Sequence, residues 1–288
     1  MLRMSFLEHL EELRTRIIRA LFGLGIAFAG CIFFTDQLWN AVRQPAVTAL
    51  TNLGYKPELA QLTPTEAFTI IWVRIPILVS LFVASPWVLY QVWAFIAPGL
   101  YKKERRLATP FILTTAGLFI IGGAFAYFVA LRFGLTFLLG IGATMGVHPY
   151  ISLTEYFDLF VNVILGVALV FELPVLIFFL TLLRVASPRF LLRHSRYAIL
   201  LIVIAAAIIT PTPDVVNLTI FAAPMILLYF AGVFASYLLV LKREGEKFPW
   251  RVVLYPAFVL AVAIAGLLWL ATTKYGYHWI WTWPFLTR

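Results

Sequence analysis

The chain has 288 residues, 62% of them hydrophobic and 12% charged, with a formal net charge of +9 at pH 7. Soluble globular domains carry about 45–50% apolar and about 25% charged residues, so this composition excludes one. The basic excess would point to nucleic acid in a soluble protein, but here it sits in short links between apolar runs, where membrane topology accounts for it.

At the N-terminus, residues 5–16 read as an amphipathic helix. Ser5 and Glu8 form a capping-box pattern, and Phe6, Leu10, Leu13 and Ile17 fall on one face. Glu12 stands four residues before Arg16, the favourable order for a helix pair, worth about 0.3–0.5 kcal/mol if exposed. Glu8 and Glu11 read as a solvated face. Acids mixed with bases, and no short apolar segment with a cleavage site, argue against a cleavable signal peptide.

Apolar runs then follow at 17–34, 75–96, 107–131, 156–185, 197–209, 215–241 and 252–272. A span needs about 20 residues, so most of them qualify. The run 197–209 covers only about 20 Å at ~1.5 Å per residue and underfills a bilayer core, which favours local thinning or tilt. In the first run, the one cysteine, Cys31, acts as a small packing residue, and Gly23-Leu24-Gly25 suits close helix packing. The segment 35–66, with a Gln44-Pro45 step, reads as a cap with short helices outside the membrane. The expected fold is an all-α polytopic membrane bundle of six spans with a seventh C-terminal span. The six-span core is placed at 1–251 and the additional apolar segment and aromatic tail at 252–288. For 252–288 an interfacial hairpin is the alternative to a span.

Basic clusters decide orientation. Arg3, Arg14, Arg16 and Arg19 precede the first run, and Lys102, Lys103, Arg105 and Arg106 separate the second from the third. Arg184, Arg189, Arg193 and Arg196 surround the fourth link, while Lys242, Arg243, Lys247 and Arg251 follow the sixth run. The positive-inside rule therefore puts the N-terminus and loop 98–106 in the cytoplasm and, with a seventh span, the C-terminus outside. Arg74 and Arg132, near the outer ends of their spans, read as snorkelling side chains.

Two places carry chemistry. The first is Trp-Ala-Phe-Ile-Ala-Pro-Gly-Leu-Tyr-Lys-Lys-Glu-Arg-Arg at 93–106, where one acid, Glu104, lies among four bases and aromatics flank a turn. The second is Glu172, within the fourth run and followed by Pro174. A carboxylate at that depth costs about 2.5–3.5 kcal/mol and normally faces a partner or a water-filled cavity, or stays protonated. It is open whether it locks packing inside the subunit or contacts a partner helix. Asp214, after Thr210-Pro211-Thr212-Pro213, reads first as a turn-stabilising aspartate. The four histidines, His9, His148, His194 and His278, show no metal-ligand spacing, and no phosphate-binding loop occurs, so nothing supports an enzyme. An ion-coupled secondary transporter using Glu172 is the competing class, although the spans show no obvious inverted repeat.

The segment 93–106, with Pro86 and Leu89-Tyr90-Gln91-Val92 before it, closely resembles the first cytoplasmic loop of TatC, the C-subunit of the twin-arginine protein translocase. Phe6-Leu7-Glu8-His9-Leu10-Glu11-Glu12-Leu13-Arg14, Phe-Glu-Leu-Pro at 171–174, and Thr210, Pro211 and Asp214 also fit that family. Val215-Val216-Asn217 departs from its usual Ser-Gln-containing continuation. The resemblance implies a receptor in the cytoplasmic (inner) membrane for twin-arginine signal peptides of folded precursors, which are exported on the proton-motive force. Signal-peptide binding falls to Glu12, Phe95, Tyr101, Glu104 and Arg105, partner contact to Glu172, Pro174 and Asp214, and the outer cap to Pro45. Implied partners are TatA/TatB-type single-span proteins, the signal peptides and the lipid bilayer, within a homo- or hetero-oligomer, with no nucleic acid, no metal and no cofactor.

Overall fold

Backbone that crosses hydrocarbon must satisfy its own N–H and C=O groups, and for runs this apolar the solution is the helix. A computed structural model describes residues 6–96, 108–210, 214–245, 278–279 and 286–287. These residues form α1 (Phe6–Ile32), α2 (Thr35–Asn52), α3 (Glu66–Phe68), α4 (Ile75–Ile96), α5 (Ala108–Phe125) and α6 (Leu131–Thr144). They continue as α7 (Leu153–Val170), α8 (Leu173–Leu182), α9 (Pro188–Arg193), α10 (Ser195–Ile209) and α11 (Val215–Glu244). Single π-helical turns, Thr69–Arg74 and Ala126–Ala130, join α3 to α4 and α5 to α6 without interrupting the helical path.

The stretches Leu7–Ile32, Glu66–Ile96, Ile112–Thr144, Leu153–Leu182 and Asn217–Glu244 are long and apolar enough to cross a membrane, and Ser195–Ile209 is a shorter apolar helix. The fold is thus an all-α polytopic bundle. The segment 252–272, expected as a seventh span, lies outside the described residues. Residues up to Tyr237 form one compact unit and those from Leu238 a second. In the second, His278–Trp279 pairs antiparallel with Leu286–Thr287, His278 opposite Thr287.

The amphipathic segment and the first span are one continuous helix, α1, and of Leu10, Leu13 and Ile17 on the expected apolar face Leu13 alone is on the less exposed side. Leu10 and Ile17 are 44% and 50% exposed. The less exposed stripe is Glu12, Leu13, Arg16, Ala20, Gly23, Leu24, Ala27, Phe28 and Cys31. In lipid, an outward apolar side chain forfeits little, so the helix turns its polar and small residues toward α4. Gly23 is required there, since a Cβ would stand 2.2 Å from Cδ1 of Trp87. Gly25 has nothing within 4 Å, so only one of the two glycines has a packing reason. The Trp87 indole also donates to the Arg19 carbonyl at 2.9 Å.

Prolines inside helices dictate where side-chain hydroxyls go. Pro45 sits inside α2 and cannot donate to the Ala41 carbonyl one turn before it. The Tyr127 hydroxyl takes that place at 2.8 Å. In α4, Pro86 likewise frees the Phe82 carbonyl, and the Ser85 hydroxyl donates to it at 2.8 Å. The expected outer cap of short helices is one 18-residue helix, α2, followed by extended chain.

Glu66, 6% exposed, ties that chain to α7. One carboxylate oxygen accepts from the Leu62 and Thr63 N–H groups at 2.6 and 3.2 Å. The other accepts from the N–H and hydroxyl of Thr154 at 2.7 and 2.5 Å, so a distant residue caps the first turn of α7. Ala60 completes the join, receiving the Leu153 N–H and donating to the Ile151 carbonyl, both at 2.9 Å. Below it, α7 buries Tyr156, Phe157, Phe160, Val163, Ile164 and Val167 in the core. Arg74 pairs with Asp158 at 3.2 Å, both side chains exposed. The Arg132 guanidinium lies 5.6 Å from the centre of the Phe128 ring.

Candidate recognition face and intramembrane carboxylate

At the end of α4 nearest the 93–106 segment, α1 and α4 bring together residues far apart in sequence. Arg16 donates one guanidinium nitrogen to Oε1 of Glu12 and another to Oε1 of Gln91, each at 3.3 Å. The Glu12 and Arg16 side chains are only 16% and 22% exposed, so this is a partly desolvated pair rather than the surface pair expected from their spacing. The second oxygen of Glu12, Oε2, is buried and has no hydrogen-bond partner among the described residues. One turn earlier, the His9 ring stacks on Phe95 with centroids 4.4 Å apart and planes 16° apart.

Glu12 and Phe95, two of the residues selected from sequence, therefore occupy one face. Tyr101, Glu104 and Arg105 lie outside the described residues. From sequence, Gln91 enters only as part of a family string, and His9 as part of one and as a histidine without metal-ligand spacing. The repeat His9, Glu12, Arg16 at three- and four-residue spacing was the available signal, but it competed with the apolar stripe at 6, 10, 13 and 17. Trp93 is 3% exposed and meets Phe179 edge-on at 5.8 Å, so this aromatic belongs to the core.

Glu172 lies at a true break. α7 ends at Val170, the Phe171 and Glu172 N–H groups bond back to Val167 and Leu169, and α8 begins at Leu173. Pro174 follows in the first turn of α8, where it has no N–H to give the Val170 carbonyl. Glu172 is half-buried, and its Oε1 is buried with no hydrogen-bond partner among the described residues. The acid therefore sits in a two-residue helix interruption just before Pro174.

Asp214 caps α11. Its Oδ1 accepts from the Asn217 N–H and its Oδ2 from the Asn217 side-chain amide, both at 2.8 Å. Asn217, the last of the three residues that depart from the family continuation, is therefore half of this cap, and it is fully buried. Pro45, selected for the outer cap, is buried in α2 as described above.

The profile of one protein family, described as Sec-independent protein translocase protein (TatC), matches residues 8–224. The chain is 46% identical over 244 residues to the Sec-independent protein translocase protein TatC of Koribacter versatilis (strain Ellin345), covering 85% of this chain and 89% of that relative. It is 35% identical to the protein of that name from Aquifex aeolicus (strain VF5) over 84% of this chain and 98% of that one. Among solved structures, it resembles the twin arginine translocase receptor TatC, with a TM-score of 0.67 and 33% identity, over 80% of this chain and 99% of the other.

Proposed function

Since the chain belongs to the TatC family of Sec-independent protein translocase proteins, we propose that it is the membrane receptor that reads twin-arginine signal peptides of folded precursors on the cytoplasmic face. The observation that carries this reading is the orphaned Oε2 of Glu12 beside the His9–Phe95 stack. A guanidinium presents N–H donors in a planar fork, and a partly desolvated carboxylate with a free oxygen is its complement. Arg16 already occupies the other oxygen. An incoming arginine therefore completes an existing Arg–carboxylate pair, at lower desolvation cost than a bare buried charge requires. Glu104 supplies the second carboxylate, with Arg105 and its basic neighbours holding it ionised. Phe95 and Tyr101 pack against the apolar side of the peptide.

In this reading Glu172, with Pro174 shaping the break, meets a polar side chain of a TatA/TatB-type single-span partner, and Asp214 supports the same assembly by fixing the start of α11. Export is driven by the proton-motive force, the N-terminus is cytoplasmic and the C-terminus external. Capture of purified protein by immobilised twin-Arg and twin-Lys signal peptides tests the proposal. Binding to the first alone is expected; equal binding to both, or to neither, rejects it. Were export to need an ionisable group at 172 while partner recruitment did not, the ion-coupled reading of that residue would replace partner contact.

A further inference from the structure

The break that carries Glu172 is gripped on both sides by glycines of neighbouring helices. A Cβ on Gly122 of α5 would lie 2.8 Å from Cβ and Cγ of Phe171 and 2.9 Å from Cα of Ala168. A Cβ on Gly232 of α11 would lie 2.6 Å from Cα of Pro174 and 3.1 Å from its carbonyl oxygen. The nearest of these atoms are backbone or Cβ, which no rotamer change moves aside. At Gly166, by contrast, the atoms in the way belong to the Ile209 side chain, at 2.9 Å and beyond.

Across the break the backbone is held by the Glu172 N–H on the Leu169 carbonyl and the Leu176 N–H on the Glu172 carbonyl, while Pro174 removes the bond to the Val170 carbonyl and leaves the angle between α7 and α8 responsive to packing. The two helices that press glycine against it therefore set that angle. We propose that Gly122 and Gly232 are positioning residues for the Glu172 carboxylate, α5 fixing the turn before the break and α11 the turn after it. The proposal rests on the reading of Glu172 as a partner contact. Phe171, 6% exposed and 5.6 Å from the Phe125 ring, anchors the α5 side. A methyl group at 232 must retreat by about 1 Å to reach ordinary van der Waals separation, and the move carries α8 with it. Hydrogen bonds operate within a few tenths of an ångström, so a shift of that size removes the contact without unfolding the bundle.

The test uses the full chain in membranes with its single-span partners, in a Cys31→Ala background. Leu169 and Leu176, 63% and 52% exposed on either side of the break, take spin labels after substitution by cysteine. Gly232→Ala and Gly122→Ala are each expected to shift the 169–176 distance, and to lower cross-linking from 176 to a partner-helix cysteine roughly tenfold. Gly166→Ala, at a crossing where the Ile209 side chain is in the way rather than the break, should leave both readouts alone. An unchanged distance in the two variants overturns the inference, as does an equal response to Gly166→Ala. A shifted distance in a protein that never cross-links at 176 keeps the positioning role and rejects the partner reading instead. Should Gly232→Ala fail to accumulate, Gly122→Ala carries the test by itself, and an unshifted distance in it overturns the inference.

Discussion

The Tyr127 hydroxyl donates to the Ala41 carbonyl at 2.8 Å, the carbonyl that Pro45 leaves without a helical donor. Tyr127→Phe should therefore cost about 1 kcal/mol, the net worth of one hydrogen bond. Pro45→Ala restores the missing N–H and should abolish much of that cost, so the two substitutions are coupled. A double-mutant cycle on detergent melting temperature checks this. Additive effects would show that the hydroxyl and the proline are unrelated.

Gly23 and Gly25 make a matched pair. Gly23→Ala drives a methyl group into Trp87 and should destabilise by about 1–3 kcal/mol. Gly25→Ala meets open space and gains helix propensity, so it should be neutral or stabilising. Thermal unfolding of both variants decides; equal losses would reject the close approach of α1 to α4.

Recognition of the signal peptide should depend on both carboxylates. Glu104→Gln is expected to weaken binding of a twin-Arg peptide roughly ten- to hundredfold, the loss of a charge-assisted bond worth about 1.5–3 kcal/mol. Glu12→Gln should do less, because Arg16 and Gln91 still hold each other across the same face. Titration of labelled peptide into each variant measures the order. Unchanged affinity in Glu104→Gln would return that residue to an ordinary basic loop.

Glu172→Ala separates a packing lock from a partner contact. Near-normal abundance and peptide binding are expected, with partner cross-linking and export of a twin-Arg reporter both lost. Glu172→Gln should recover much of the activity, since an amide keeps a donor and an acceptor. A large fall in melting temperature with cross-linking preserved would assign the residue to packing.

Topology is tested by single cysteines in the Cys31→Ala background, labelled in intact cells with a membrane-impermeant thiol reagent. Position 278 should react and position 103 should not, as the basic clusters require. Reaction at 278 only after lysis would reject a span at 252–272.

Several features were legible from residue order alone. Long apolar runs admit only helices, and the acid in the fourth run stands out by its cost, because lipid punishes every unsatisfied polar group. Family strings singled out Glu12, Phe95 and Asp214 before any coordinates. The facing of α1 was not legible. Hydrophobic periodicity assumes water outside, and in a bilayer the packed stripe also takes in polar and small residues, Glu12, Arg16 and Gly23 beside Leu13, Leu24 and Phe28. Nor could spacing disclose that Glu66 caps α7 from 88 residues away, that Tyr127 replaces the donor lost at Pro45, or that Gly122 and Gly232 close on the break at Glu172. Each of these relationships joins helices distant in sequence, and only their packing decides which free carbonyl, carboxylate or glycine meets which neighbour.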